Sequence, residues 1–71
     1  MKHLFAQYVD ELREKQNISK FMLARKAGIN RTTLIYMFNG KHAPSIENAY
    51  EVLKALETNF TEFETWLKGK E

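Results

Sequence analysis

Asn30, Arg31, Thr32 and Tyr36 fall within two turns of one short apolar segment, and each carries a group suited to the edge of a base pair. An arginine fork bonds the O6 and N7 acceptors of guanine, a carboxamide pairs with adenine, and a threonine methyl packs on the methyl of thymine. The Tyr36 phenol suits a phosphate or a sugar, although a half-buried surface ring accounts for it equally well. Thr33, beside this set, is read as a phosphate contact. Lys41, His42 and the start of a further helix at Ser45 follow. A cation beside free helix N–H groups holds a phosphate. The chemistry on offer is hydrogen bonding to a duplex polyanion.

Other chemistries find no residues to carry them. The 71-residue chain has no cysteine, which excludes a disulfide framework, a zinc–thiolate site and a thiol nucleophile. His3 and His42 lie far apart, outside any ligand-spaced cluster. Asp10, Glu11 and Glu14 share a helix with basic neighbours and read as a solvated face. No nucleophile–base constellation and no phosphate-cradling glycine loop is present. No enzyme activity, cofactor or metal is therefore expected. The length predicts a single domain over 1–71. The N-terminus lacks an apolar run for secretion or membrane spanning, so a cytoplasmic location is the default.

Charge is segregated along the chain. Between Glu14 and Glu47 there is no acidic residue, whereas Lys15, Lys20, Arg25, Lys26, Arg31 and Lys41 all lie there. The formal net charge of +2 understates the local field. A polyanion is drawn to the middle and tolerated by the ends.

The elements that must position these residues are two short helices joined by a tight turn, Ser19 to Lys41. Ser19 caps the first of them. Gly28 falls where the chain leaves it through a left-handed conformation. Asn30 caps the second, which runs from Arg31 to about Asn39 and ends at Asn39-Gly40. This is the layout of a DNA-binding helix-turn-helix. Leu23, Ala24, Ala27, Leu34, Met37 and Phe38 are expected inward, with Ile35 at the edge. Phe21 and Met22 are expected outward, either packing partly on the last helices or forming a partner surface.

The flanks supply the scaffold. A first helix is predicted from about His3 to Gln16, with Leu4, Phe5, Tyr8, Val9 and Leu12 as its apolar stripe. Asn17 ends it and Ile18 plugs the gap before Ser19. Pro44 blocks helix continuation at the residue before it. Ser45 caps a fourth helix with Ile46, Ala49, Tyr50, Val52, Leu53 and Leu56 as its apolar face. A fifth is capped at Thr61 with Glu64, or one turn earlier at Asn59 with Glu62. Phe60, Phe63, Trp66 and Leu67 form its stripe, and Gly69-Lys70-Glu71 is expected to fray.

On Leu23-Ala24, Lys26-Ala27-Gly28-Ile29, Asn39-Gly40-Lys41, Pro44 and Trp66-Leu67 with Gly69, the chain resembles the phage repressor/Cro (lambda-repressor-like) helix-turn-helix family over nearly its whole length. The resemblance implies an all-α, five-helix domain, operator DNA as ligand, and often a two-fold dimer on a palindromic site. It places groove-reading positions on Lys20, Asn30, Arg31, Thr32 and Tyr36, and backbone-holding ones on Ser19, Lys41, His42 and the start of the fourth helix at Ser45. This sequence departs from the family at Lys20, where Gln is common, and at Phe21 and Met22, where Glu is common. Many members pair an arginine at the position of Arg13 with a glutamate at that of Phe38. With the glutamate gone, Arg13 is expected to stack on the Phe38 ring or turn to solvent.

These readings predict a sequence-specific DNA-binding transcriptional regulator, most simply a small phage or bacterial repressor. The competing reading is a protein-interaction module that docks another regulator through Phe21, Met22 and Ile35.

Overall fold

The computed structural model describes residues 4–41 and 43–70, with α1 at Leu4–Lys15, α2 at Lys20–Ala27, α3 at Arg31–Phe38, α4 at Ile46–Ala55 and α5 at Phe60–Lys68. The fold is all-α, as expected, and no strand occurs among the described residues. His3, the expected start of the first helix, lies outside them.

Helices α2 to α5 each open on a side-chain cap. Ser19 Oγ accepts the Met22 N–H at 3.0 Å, and Asn30 Oδ1 accepts that of Thr32 at 2.7 Å. Ser45 Oγ accepts that of Asn48 at 3.1 Å, and Asn59 Oδ1 that of Glu62 at 2.9 Å. Each bond satisfies a first-turn donor that has no partner within the helix. The fifth helix thus uses the earlier of its two candidate caps.

Helices α1 to α4 close in a common way. Asn17, Gly28, Gly40 and Glu57 adopt φ values of 58°, 71°, 75° and 60°. After each, an N–H reaches back five residues: Ile18 to the Arg13 carbonyl, Ile29 to Ala24, Lys41 to Tyr36 and Thr58 to Leu53. These are Schellman ends, in which a left-handed residue turns the chain sharply out of the helix. Sharp exits matter here because α2 and α3 are only eight residues each, too short to stand without packing.

Val9, Leu23, Ala24, Ala27, Leu34, Met37, Val52 and Leu56 form the core cluster, with Phe5, Leu12, Ile18, Ile29, Phe38 and Ala55 packed around it. Helix α2 packs on both α3 and α4, and the small Ala24 side chain permits the close crossings. Truncating a fully buried leucine such as Leu23 or Leu34 would cost about 2–5 kcal/mol. Helix α5 adds no fully buried residue. It is held to α1 by aromatic contacts: Phe63 lies 5.3 Å from both Phe5 and Tyr8, and Trp66 lies 5.3 Å from Tyr8. The Tyr8 hydroxyl hydrogen-bonds Thr58 Oγ1 at 2.6 Å, and Trp66 Nε1 donates to Glu11 at 3.1 Å.

Four expectations are corrected. Ile46 and Tyr50 do not join the buried face of α4: they are 72% and 52% exposed. Inward positions recur at Ala49, Val52, Leu53 and Leu56, and about 100° of rotation per residue carries Tyr50 well round from Ala49. Phe60, in the first turn of α5, is also exposed. Arg13 neither stacks on Phe38 nor turns to solvent. Its Nη1 donates to the Ile18 carbonyl at 2.8 Å, while Nε and Nη2 hold Asp10 at 2.9 and 2.7 Å. Finally, Gly69 and Lys70 are ordered by N–H bonds to Trp66 and Leu67 at 3.1 and 3.0 Å. Lys70 Nζ also lies 4.8 Å from the Trp66 ring centroid. Glu71 lies outside the described residues.

Candidate nucleic-acid interface

Helix α3 divides cleanly. Leu34 and Met37 are buried, whereas Arg31, Thr32, Thr33 and Tyr36, with the cap Asn30, are exposed. One helical face thus presents the hydrogen-bonding side chains because the other is sealed by core packing. The cap also orients Asn30: accepting from Thr32 locks the carboxamide and leaves its NH2 donors toward solvent.

Tyr36 sits at a second convergence. With Thr33, Ala43, Pro44, Ser45 and Asn48 it lines a small cleft of about 160 Å³ between α3 and the start of α4. Lys41 Nζ lies 5.8 Å from its ring centroid. Thr33, Lys41 and Ser45, three residues read as phosphate contacts, are therefore gathered about one ring. Ser45 uses a lone pair to cap α4, which leaves its O–H as a donor. Ser19 at the start of α2 is arranged likewise, accepting from Met22. His42, the remaining expected phosphate contact, lies outside the described residues.

Lys20 is placed differently from the rest. Its Nζ lies 4.6 Å from the centroid of the Phe38 ring, and the side chain is partly covered. The Lys20 stem thus runs over the end of α3 while α2 begins beside it.

Phe21 and Met22 are exposed and Ile35 is half-buried. The Phe21 ring is occupied, however: Arg31 Cζ lies 5.2 Å and Arg25 Cζ 5.9 Å from its centroid. Arg25 was legible only as one member of the basic run. Its four-residue spacing from Phe21 was the available signal.

The ion pairs among the described residues involve none of the side chains read above as DNA contacts. Arg13 pairs with Asp10 at 2.7 Å and with Glu14 at 3.7 Å, Lys68 with Glu64 at 4.0 Å and Lys70 with Glu11 at 3.9 Å. None of the six cations between Glu14 and Glu47 joins an ion pair among the described residues. No group of three or more potential metal ligands occurs among the described residues. No helix among them is long and apolar enough to cross a membrane.

A family model described as helix-turn-helix matches residues 9–63, from the middle of α1 into α5. An uncharacterized HTH-type transcriptional regulator of Archaeoglobus fulgidus is 30% identical over 66 residues, covering 84% of this chain and 93% of that relative. A second regulator of the same description and organism is 29% identical over 66 residues, with 84% and 94% covered. No solved structure matches the chain. The family is one of regulators and not of enzymes. From the capped α2–turn–α3 unit and the span of the match, the chain belongs to the helix-turn-helix family of DNA-binding transcriptional regulators.

Proposed function

We propose that the protein is a small sequence-specific repressor of the phage repressor/Cro type, acting in the cytoplasm as one domain over 1–71 and reading the major groove with α3. The observation that carries this reading is the exposure of Asn30, Arg31, Thr32 and Tyr36 on a helix whose other face is buried. Arg31, Asn30 and Thr32 meet base edges, and Tyr36 and Lys20 meet base edges or the backbone nearby. Ser19, Thr33, Lys41, His42 and Ser45 hold phosphates and set the register. Most of the affinity comes from phosphate neutralisation, and repression follows from occupying a promoter.

The protein pairs two-fold on a palindromic operator. Ile46, Tyr50 and Phe60 line an open groove of about 680 Å³ together with Gly28, Ile29, Glu47 and Glu51. On α4 the exposed positions Ile46, Tyr50 and Lys54 recur every four residues. In an antiparallel pairing centred on Tyr50, Ile46 meets the Lys54 stem of the second copy, and Glu47 approaches its ammonium. Such a face is self-complementary, as a two-fold contact requires.

The protein-docking alternative is weakened by the two guanidinium groups over Phe21, which make that patch cationic. Selection of bound duplexes from a random library tests the proposal. A two-fold consensus with half-sites roughly 34 Å apart is expected. Failure to bind duplex DNA at low salt, together with a stable complex with a protein partner, would replace it with the docking reading.

A further inference from the structure

Phe21 is a large apolar side chain, 48% exposed, on a strongly cationic stretch. It does not belong to the core cluster or to the residues packed against it. Its ring contacts are with cations. The Arg25 contact, at 5.9 Å, is local to α2, whereas the Arg31 contact, at 5.2 Å, crosses the turn to the first residue of α3. Two like charges drawn to one ring repel each other, and the ion pairs among the described residues involve neither arginine. The negative face of the ring offsets that repulsion.

An exposed arginine has many rotamers, and binding a base in two-way fashion must freeze one of them. A ring that already holds the guanidinium removes part of that entropy before DNA arrives. We propose that Phe21 is a positioning residue for base readout: its ring holds the Arg31 guanidinium and thereby sharpens the preference for the base pair that Arg31 meets. The inference rests on the groove-reading function proposed above and adds a residue that itself makes no base contact.

The experiment compares the full chain with Phe21→Leu, Phe21→Trp and Arg31→Ala. Three quantities are read: base preference by selection from a random duplex library, affinity for a roughly 20-bp duplex of arbitrary sequence, and the Arg31 Nε–Hε resonance in free protein. Because Phe21 is exposed, the leucine chain is expected to melt near the parent temperature and to bind the arbitrary duplex within about two-fold of it. Its discrimination should fall about two- to five-fold, at the same base pair that Arg31→Ala affects. Tryptophan should restore that discrimination. The Hε resonance should be ring-shifted in the parent and tryptophan chains and not in the leucine chain.

An unchanged preference in Phe21→Leu overturns the inference, as does an equal loss with tryptophan or a loss at a different base pair. A parent chain that selects a sequence while Phe21→Leu matches it overturns the positioning role alone. A parent chain that selects no sequence overturns the groove-reading function and this inference with it.

Discussion

The Arg13 guanidinium reaches from α1 to the carbonyl of Ile18, donating at 2.8 Å, and so ties the first helix to the residue just before the Ser19 cap. The same side chain holds Asp10 at 2.7 Å and is largely covered. Helix α2 starts where it does because this brace, the left-handed Asn17 and the Ser19 cap all act on one short connection.

Arg13→Ala should therefore destabilise the fold. Hydrogen bonds to charged groups contribute about 1.5–3 kcal/mol, and the Ile18 carbonyl would lose its donor. A loss of about 1–3 kcal/mol in urea unfolding is expected, with base preference unchanged in the chain that remains folded. A loss under about 0.5 kcal/mol would show that solvent replaces the guanidinium.

The four Schellman ends give paired predictions of opposite sign. Gly28 has φ 71° with open space where a Cβ would lie, so only backbone conformation demands glycine there. Gly28→Ala should cost about 1 kcal/mol. Glu57 occupies the equivalent position after α4 at φ 60°, with an exposed side chain. Glu57→Gly should raise stability by about 0.5–1 kcal/mol, read as a higher urea midpoint at unchanged slope. If both substitutions moved stability in the same direction, backbone conformation would not be the controlling factor.

What was legible in the sequence is what is local. Ser19, Asn30 and Ser45 cap through bonds spanning two or three residues, and Gly28 and Gly40 announce their left-handed turns by residue type. Glu57 makes the same turn without that mark, because glutamate carries no signal for it. Arg13 was misplaced because its acceptor is a backbone carbonyl, and any residue at position 18 would supply one. Ile46 and Tyr50 fit the period of an apolar face, but the crossing of α2 on α4 decides how much of that face is covered. At the interface, the outward set of α3 followed from its inward leucine and methionine. The gathering of Thr33, Tyr36, Lys41 and Ser45 depends on how α3 and α4 meet in space, which no local pattern encodes.

Arg31 and Lys41 should separate specificity from affinity. Arg31→Ala is expected to relax preference at one base pair, by about 1–3 kcal/mol if the contact is a two-way bond to guanine. Lys41→Ala should weaken binding evenly across sequences and reduce the salt slope by about one. Titrations of matched and mismatched duplexes at several salt concentrations measure both effects. A base-selective loss in Lys41→Ala would move that residue from the backbone to the groove.

The exposed face of α4 predicts how two copies cooperate. Tyr50 is 52% exposed, so Tyr50→Glu leaves the core intact and should melt near the parent temperature. At the centre of a two-fold contact the same change places two carboxylates against each other and removes two rings. Dimerisation measured by sedimentation should weaken by about ten-fold or more, the range of a central aromatic contact. Affinity for a single half-site should stay the same, because α3 is untouched, while the gain from a second correctly spaced half-site disappears. If Tyr50→Glu dimerises like the parent, the pairing face lies elsewhere; if it also loses half-site binding, the exposed ring serves the DNA surface and not the partner copy.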